Sequence, residues 1–316
     1  MSESTLRLPT RSPSPSAKGG NRRSRRRGTI AFGVVVLLVG GTGVAAWAWW
    51  NGQVGPVPVR EHCTATAAGQ VAERDPDQAG NAAIIAAVAR KRGLPARAAS
   101  IGIATAIQES KLRNITYGDR DSLGLFQQRP SQGWGTRKQI SDPVFATNSF
   151  YDALVKIKGY QTMEITKVAQ KVQRSGYPEA YADHEAEAKV IASALSGYSP
   201  AGFNCVLRSP TTTAQAAGSG GLTARARTLR SAAAKETGRE TVTVLSPTSL
   251  RLTVPSSPGG RDSWALAHWA VARADGLSVV KVQVADRVWT RAHSTDAWTA
   301  SKAASLPNGT ITVQVS

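Results

Sequence analysis

Between Pro95 and Ser110 almost every side chain is apolar or small. Ala98-Ala99-Ser100-Ile101-Gly102-Ile103-Ala104-Thr105-Ala106-Ile107 run directly into Gln108-Glu109-Ser110. Pro95 suits the first turn of a helix, where its missing N–H costs nothing. The apolar side chains cover most of the helical circumference rather than one stripe, so a helix over 95–110 has to be surrounded by other elements. One acid, Glu109, falls at its C-terminal end. Burial and the negative end of the helix dipole both disfavour a carboxylate there. A carboxyl that keeps its proton can deliver it to a leaving oxygen. The plainer alternative is a solvated Glu at a frayed helix end.

The next segment bears on that choice. Residues 114–120 are polar and turn-rich, and Asp121-Ser122-Leu123-Gly124-Leu125-Phe126-Gln127-Gln128-Arg129-Pro130 follow. Gly124 permits a close backbone approach. Phe126 is a core anchor, and the Gln127 amide can meet a sugar hydroxyl or an N-acetyl group. Glu109-Ser110, Gly124-Leu125-Phe126-Gln127 and Pro130, at these spacings, resemble the catalytic segment of the soluble lytic transglycosylases, which share the goose-type lysozyme fold. The family pattern is Glu-Ser, then Gly-Leu-Met-Gln, then a Pro; here Phe126 replaces the Met. Asp142-Pro143 and the later Asn148-Ser149-Phe150-Tyr151 resemble the family's next helix start. The resemblance spans residues 78–207. The family's later Ala-Tyr-Asn-Ala-Gly segment, whose Tyr helps in the cleft, has no clean copy, and Tyr198 and Tyr177 stand as candidates for that Tyr.

The resemblance implies cleavage of the β-1,4 bond between N-acetylmuramic acid and N-acetylglucosamine in peptidoglycan glycan strands, without a cofactor. Glu109 would protonate the bridging oxygen while the substrate's own N-acetyl oxygen stabilises the developing cation, as in glycosidases that lack a second carboxylate. Glu109, now ionised, would deprotonate the muramic C6 hydroxyl and leave a 1,6-anhydro product; with water as acceptor the same site would be a lysozyme. Ser110 is expected to orient Glu109, and Gln127 to contact sugar. Gly124, Phe126, Trp134 and Tyr198 complete the expected substrate-binding set. Asp119 and Asp121 are reserves for a second carboxylate, although loop acids beside Gly and Ser are commonly turn formers. The rival reading is a non-catalytic wall-binding or scaffolding protein of the same fold. A receptor for a small ligand or metal finds little support.

Residues 29–50 are a run of 22 uncharged residues, preceded by Arg22, Arg23, Arg25, Arg26 and Arg27. At ~1.5 Å rise per residue such a run can span a bilayer. The arginines would hold the N-terminus in the cytoplasm, and Trp47, Trp49 and Trp50 would sit at the far interface. The expectation is therefore a single-pass cell-membrane protein with its later domains outside the cytoplasm. A cleaved signal peptide ending near Ala46-Trp47-Ala48 is the alternative. Residues 1–28 hold eight of the 39 Lys and Arg and one of the 21 Asp and Glu, so most of the +18 net charge lies beyond them. That balance suits an anionic envelope. The charge is scattered rather than clustered, which argues against a nucleic-acid partner. Cys63 and Cys205 are the two cysteines. They flank the lysozyme-like region and are expected to pair in an oxidising compartment, against the alternative of two buried thiols. Four His and two Cys, widely scattered, give no metal-ligand spacing.

The order expected along the chain is a basic tail (1–28), an anchor (29–50), a juxtamembrane segment (51–77), a mainly α lysozyme-like domain (78–207), a linker (208–221) and a small α/β domain (222–316). Helices are expected over 81–92, 95–110, 145–158, 162–172 and 181–195. Strands are expected over 242–245, 250–254, 278–284 and 311–315, with a helix over 264–274. That last domain is similar to one related to the zinc D-Ala-D-Ala peptidases. In that alignment Arg251 replaces the metal-binding Asp, and Thr312 and Gln314 replace the two His, so the resemblance implies a domain without its metal. Its Trp residues are expected in the core, with sugar stacking as the alternative.

Overall fold

The computed structural model describes residues 59–173, 178–218, 220–238 and 240–316. It opens with a hairpin of β1 (His62–Ala67) and β2 (Gln70–Arg74). The two-residue connection Ala68-Gly69 has positive φ at both positions, the geometry that matches the twist of paired strands. A third strand, β3 (Phe203–Val206), pairs antiparallel with β1, so that Cys63 faces Cys205 in register. The two cysteines form a disulfide.

Inside this frame α1 (Pro76–Lys91) leads into α2 (Ala96–Ser110). Helix α2 is buried on almost every side, as its composition demands, and Ile101, Ile103 and Ala104 have no exposed surface. Around it stand α1, α4 (Pro143–Leu154), α5 (Ile165–Gln173) and α6 (Glu185–Leu195), while the short α3 (Arg137–Ile140) packs against α4. Tyr151 of α4 donates to the Ile85 carbonyl of α1 at 2.9 Å, so its phenol is paired within the core.

The later part begins with α7 (Ala224–Glu236). It builds an antiparallel six-stranded sheet in the order β4 (Thr241–Ser246), β5 (Ser249–Thr253), β9 (Thr310–Val315), β6 (Val279–Val284), β7 (Arg287–Thr290) and β8 (Thr299–Ala300). Helix α8 (Arg261–Ala272) has every residue from Ser263 to Ala272 buried, because it touches β6 and β9 of the sheet as well as α1, α6 and β3. The short α9 (Ala274–Leu277) follows. Residues 59–316 form one compact unit. Strand β3 is its joint: the Trp298 indole donates to Phe203 O at 2.8 Å and the Trp289 indole to Asn204 Oδ1 at 2.9 Å. Trp264, Trp269, Trp289 and Trp298 are all core residues.

Two expectations are corrected. The described fold is mixed α/β, not a mainly α domain with a small α/β appendage, because a three-stranded sheet closes the first part and a six-stranded sheet with α7, α8 and α9 makes up the second. The missed strand β1 alternates inward through Cys63, Ala65 and Ala67. Small residues of low strand propensity conceal that alternation. The second correction concerns the membrane. Among the described residues no helix is long and apolar enough to cross a bilayer, and the expected anchor at 29–50 lies outside them. The expected single-pass membrane localisation is thus corrected to a described fold that contains no membrane-spanning helix.

Candidate functional site

Helix α2 is stopped sharply. Lys111 and Leu112 adopt left-handed backbone, at φ 54° and 59°. The Leu112 N–H returns to Ala106 O at 2.9 Å and the Leu112 side chain is fully buried. A helix end leaves carbonyls without partners. Here α1 supplies donors just beyond that end: Gln78 Nε2 donates to Lys111 O and Asn81 Nδ2 to Leu112 O, each at 2.7 Å. Glu109, in the last turn, therefore rides on a backbone fixed from two sides.

The turn 124–127 is fastened to that helix end. Ser110 Oγ lies 2.8 Å from Leu125 O and 3.1 Å from Ala106 O, so its hydroxyl holds the turn against α2 rather than bonding the Glu109 carboxylate. Leu123 and Gln128 exchange backbone hydrogen bonds of 3.1 Å across the turn. Gly124 has φ +79°, and a Cβ there would stand 2.8 Å from Ile140 O, so both conformation and space require glycine. Phe126 is buried and stacked on Phe150 with centroids 4.5 Å apart. It is thus an anchor beneath the cleft and not a contact surface. Gln173 Nε2 donates to Phe126 O at 2.7 Å. The Gln127 amide rests on Gly118, where a Cβ would fall 1.8 Å from Gln127 Oε1.

Glu109 is half-buried and opens onto a cleft of about 370 Å³ whose lining includes Asp119, Gln127, Gln132, Trp134 and Gln173. Glu109 is also met by the turn Pro178–His184. Its Tyr181 is buried, and the phenol hydroxyl donates to Glu109 Oε1 at 2.6 Å. In the same turn His184 Nε2 is 2.9 Å from Gln108 Oε1. Consecutive residues of α2 are thereby held by one short turn, and among the described residues Glu109 Oε2 has no hydrogen-bond partner.

The two reserve acids part company. Asp121 accepts from Arg129 Nε at 2.8 Å, Ser131 N at 2.7 Å and Ser131 Oγ at 3.0 Å. Those donors, Arg129 first, hold its carboxyl well below the usual carboxylate range. It is a bracket for the loop. Asp119 is exposed and lines the cleft.

Of the residues singled out in the sequence, the structure brings Glu109, Gln127 and Trp134 to one cleft. It places Ser110, Gly124 and Phe126 as the frame beneath them. It does not bring Tyr198 there. Tyr198 is exposed, accepts from Arg261 Nη1 at 3.2 Å, and lines a separate pocket with Arg90 and Pro95. Tyr177 lies outside the described residues. Tyr181, missed in the sequence, is the tyrosine that meets Glu109. The available signal was Ala180-Tyr181-Ala182, which begins like the expected Ala-Tyr segment and then departs from it. In the later part, Arg251 and Thr312 are register partners on β5 and β9, and Gln314 pairs with Ser249.

A carboxyl with one oxygen held and the other open, beside amides and an indole, suits proton transfer to a polyhydroxylated ligand. No protein-family model matches this chain, and no curated protein matches it either.

Proposed function

We propose that this protein cleaves peptidoglycan glycan strands between N-acetylmuramic acid and N-acetylglucosamine as a lytic transglycosylase, with Glu109 acting first as acid and then as base. The observation that carries the reading is the Tyr181–Glu109 hydrogen bond at the head of the cleft framed by Gly124–Gln127. Tyr181 fixes Oε1, which leaves Oε2 to give its proton to the bridging oxygen and later to take one from the C6 hydroxyl. The amides of Gln127 and Gln173 and the Trp134 indole offer hydrogen bonds and a face to the sugars. Bracketed Asp121 is not free to act as a nucleophile, which leaves the substrate's N-acetyl group or the cleft-lining Asp119 to stabilise the developing cation.

The test is digestion of purified peptidoglycan by the oxidised protein beside its Glu109→Gln variant, with released muropeptides read by mass. Release by the wild type alone, in products one water lighter than hydrolysed ones, supports the proposal. Full-mass products would instead make it a lysozyme. No release, with both proteins sedimenting with the wall, would replace the enzyme by a wall-binding protein.

A further inference from the structure

Past Trp134 the cleft gives way to a second cavity of about 510 Å³. Gln132, Trp134 and Gln173 line both spaces and form their common wall. The chemistry changes across that wall. Ala153, Ile157 and Val172 give the second cavity an apolar floor, while Lys156 and Lys171 are exposed at its margin. Neither lysine forms an ion pair with a described residue, so both ammonium groups face solvent and the cavity mouth. Among the described residues Asp152 is the one acid in the lining, and Arg92 Nη2 holds its carboxylate at 2.7 Å. The pocket is therefore cationic, with a floor suited to small aliphatic groups.

Neutral sugars need no unmatched ammonium groups, since amides and an indole already serve them in the first cavity. Two free cations beside a glycan site select an anion. We propose that this second cavity receives a free carboxylate of the short peptide that branches from the sugar bound at Glu109, with Lys156 and Lys171 as its cations and the apolar floor beneath the peptide's small side chains. The proposal rests on the glycan-cleaving reading of the cleft. It makes the enzyme selective for strands whose peptides are present and not amidated.

The experiment uses the Glu109→Gln protein throughout, so that turnover plays no part. The probe is a soluble disaccharide-peptide with free carboxylates, compared by calorimetry with the same molecule fully amidated. The acid form is expected to bind about fivefold more tightly than the amide, the scale of two exposed ion pairs. That preference should shrink at high salt. It should vanish in the Lys156→Gln/Lys171→Gln protein and return with Lys156→Arg/Lys171→Arg. Equal binding of acid and amide, a preference that survives loss of both lysines, or no binding of either probe would overturn the proposal. A clear preference in a protein whose wild type releases no muropeptides would leave the pocket standing and remove only the catalytic reading.

Discussion

The Tyr181 hydroxyl donates a 2.6 Å hydrogen bond to Glu109 Oε1, joining residues 72 positions apart. Tyr181 is buried, so its phenol has a fixed place from which to aim the carboxyl. Removing that hydroxyl leaves Glu109 present but no longer held. A hydrogen bond to an ionisable group contributes about 1.5–3 kcal/mol. Tyr181→Phe is therefore expected to lower kcat by about 10- to 100-fold with little change in KM. Muropeptide release under saturating and limiting substrate separates the two parameters. An unchanged kcat would remove Tyr181 from the mechanism.

The turn under the cleft should be sensitive to single atoms. Gly124→Ala places a methyl group 2.8 Å from Ile140 O and forces Ala into left-handed backbone. A loss of about 2 kcal/mol or more is expected. Ser110→Ala removes the hydroxyl that bridges α2 to Leu125 O, at a cost of about 1–2 kcal/mol. Urea melts of both variants give these values directly. Activity should fall further than stability in each, because the turn sets the position of Gln127.

How much of this was legible in the sequence follows from the kind of signal each element carries. Helix α2 was plain because an apolar run without a polar face has one physical outcome. The frame of Glu109, Gly124 and Gln127 was legible through its resemblance to the transglycosylase segment, and the pairing of Cys63 with Cys205 through their positions on either side of the helical region. Strand β1 was hidden because Ala and Cys mark its inward face only weakly. Tyr181 was hidden because its turn continues directly into α6, so periodicity read both as one helix starting at Tyr181. The joining of the two parts was also hidden. The Trp indoles that bind β3 carry no mark of their partners, and the apolar second face of α8 does not itself say that α1 and α6 cover it.

The disulfide joins β1 to β3 across a separation of 142 residues. In the chain-entropy view a loop of that length is stabilised by at most about 5 kcal/mol. Cys63 and Cys205 also lie opposite each other in a strand pair, so reduction should loosen the sheet without immediately unfolding α2. The expected result is a Tm lowered by reductant in the wild type and an equally low, reductant-insensitive Tm in Cys63→Ser/Cys205→Ser. A Tm that does not respond to reductant in the wild type would show that the ladder alone holds the frame.

Acid should act on His268 at the joint between the two parts. Its ring is buried between Phe203, Trp264 and Trp298, and Nδ1–H donates to Ala194 O of α6 at 2.7 Å. Burial pushes its pKa down from 6.5 to about 4, with the Ala194 hydrogen bond opposing. The unfolded chain therefore takes up this proton near pH 6.5 and the folded chain only near pH 4. Between those values the unfolded state binds more protons, so stability rises with pH and is lost as pH falls through the window. The full difference corresponds to roughly 3 kcal/mol. His268→Asn keeps a donor for Ala194 O without a titrating ring. It should be less stable than wild type at pH 7 because it fills the aromatic pocket poorly, yet lose much less stability between pH 6.5 and 4.5. Urea melts across that range check this, above the region where two carboxylates add their own loss: Glu61, whose pKa the Arg208 hydrogen bond lowers, and Asp142, where burial raises the pKa but Lys235 and the Val144 N–H together lower it by more. Parallel slopes for the two proteins would show that His268 is not the acid-sensitive group.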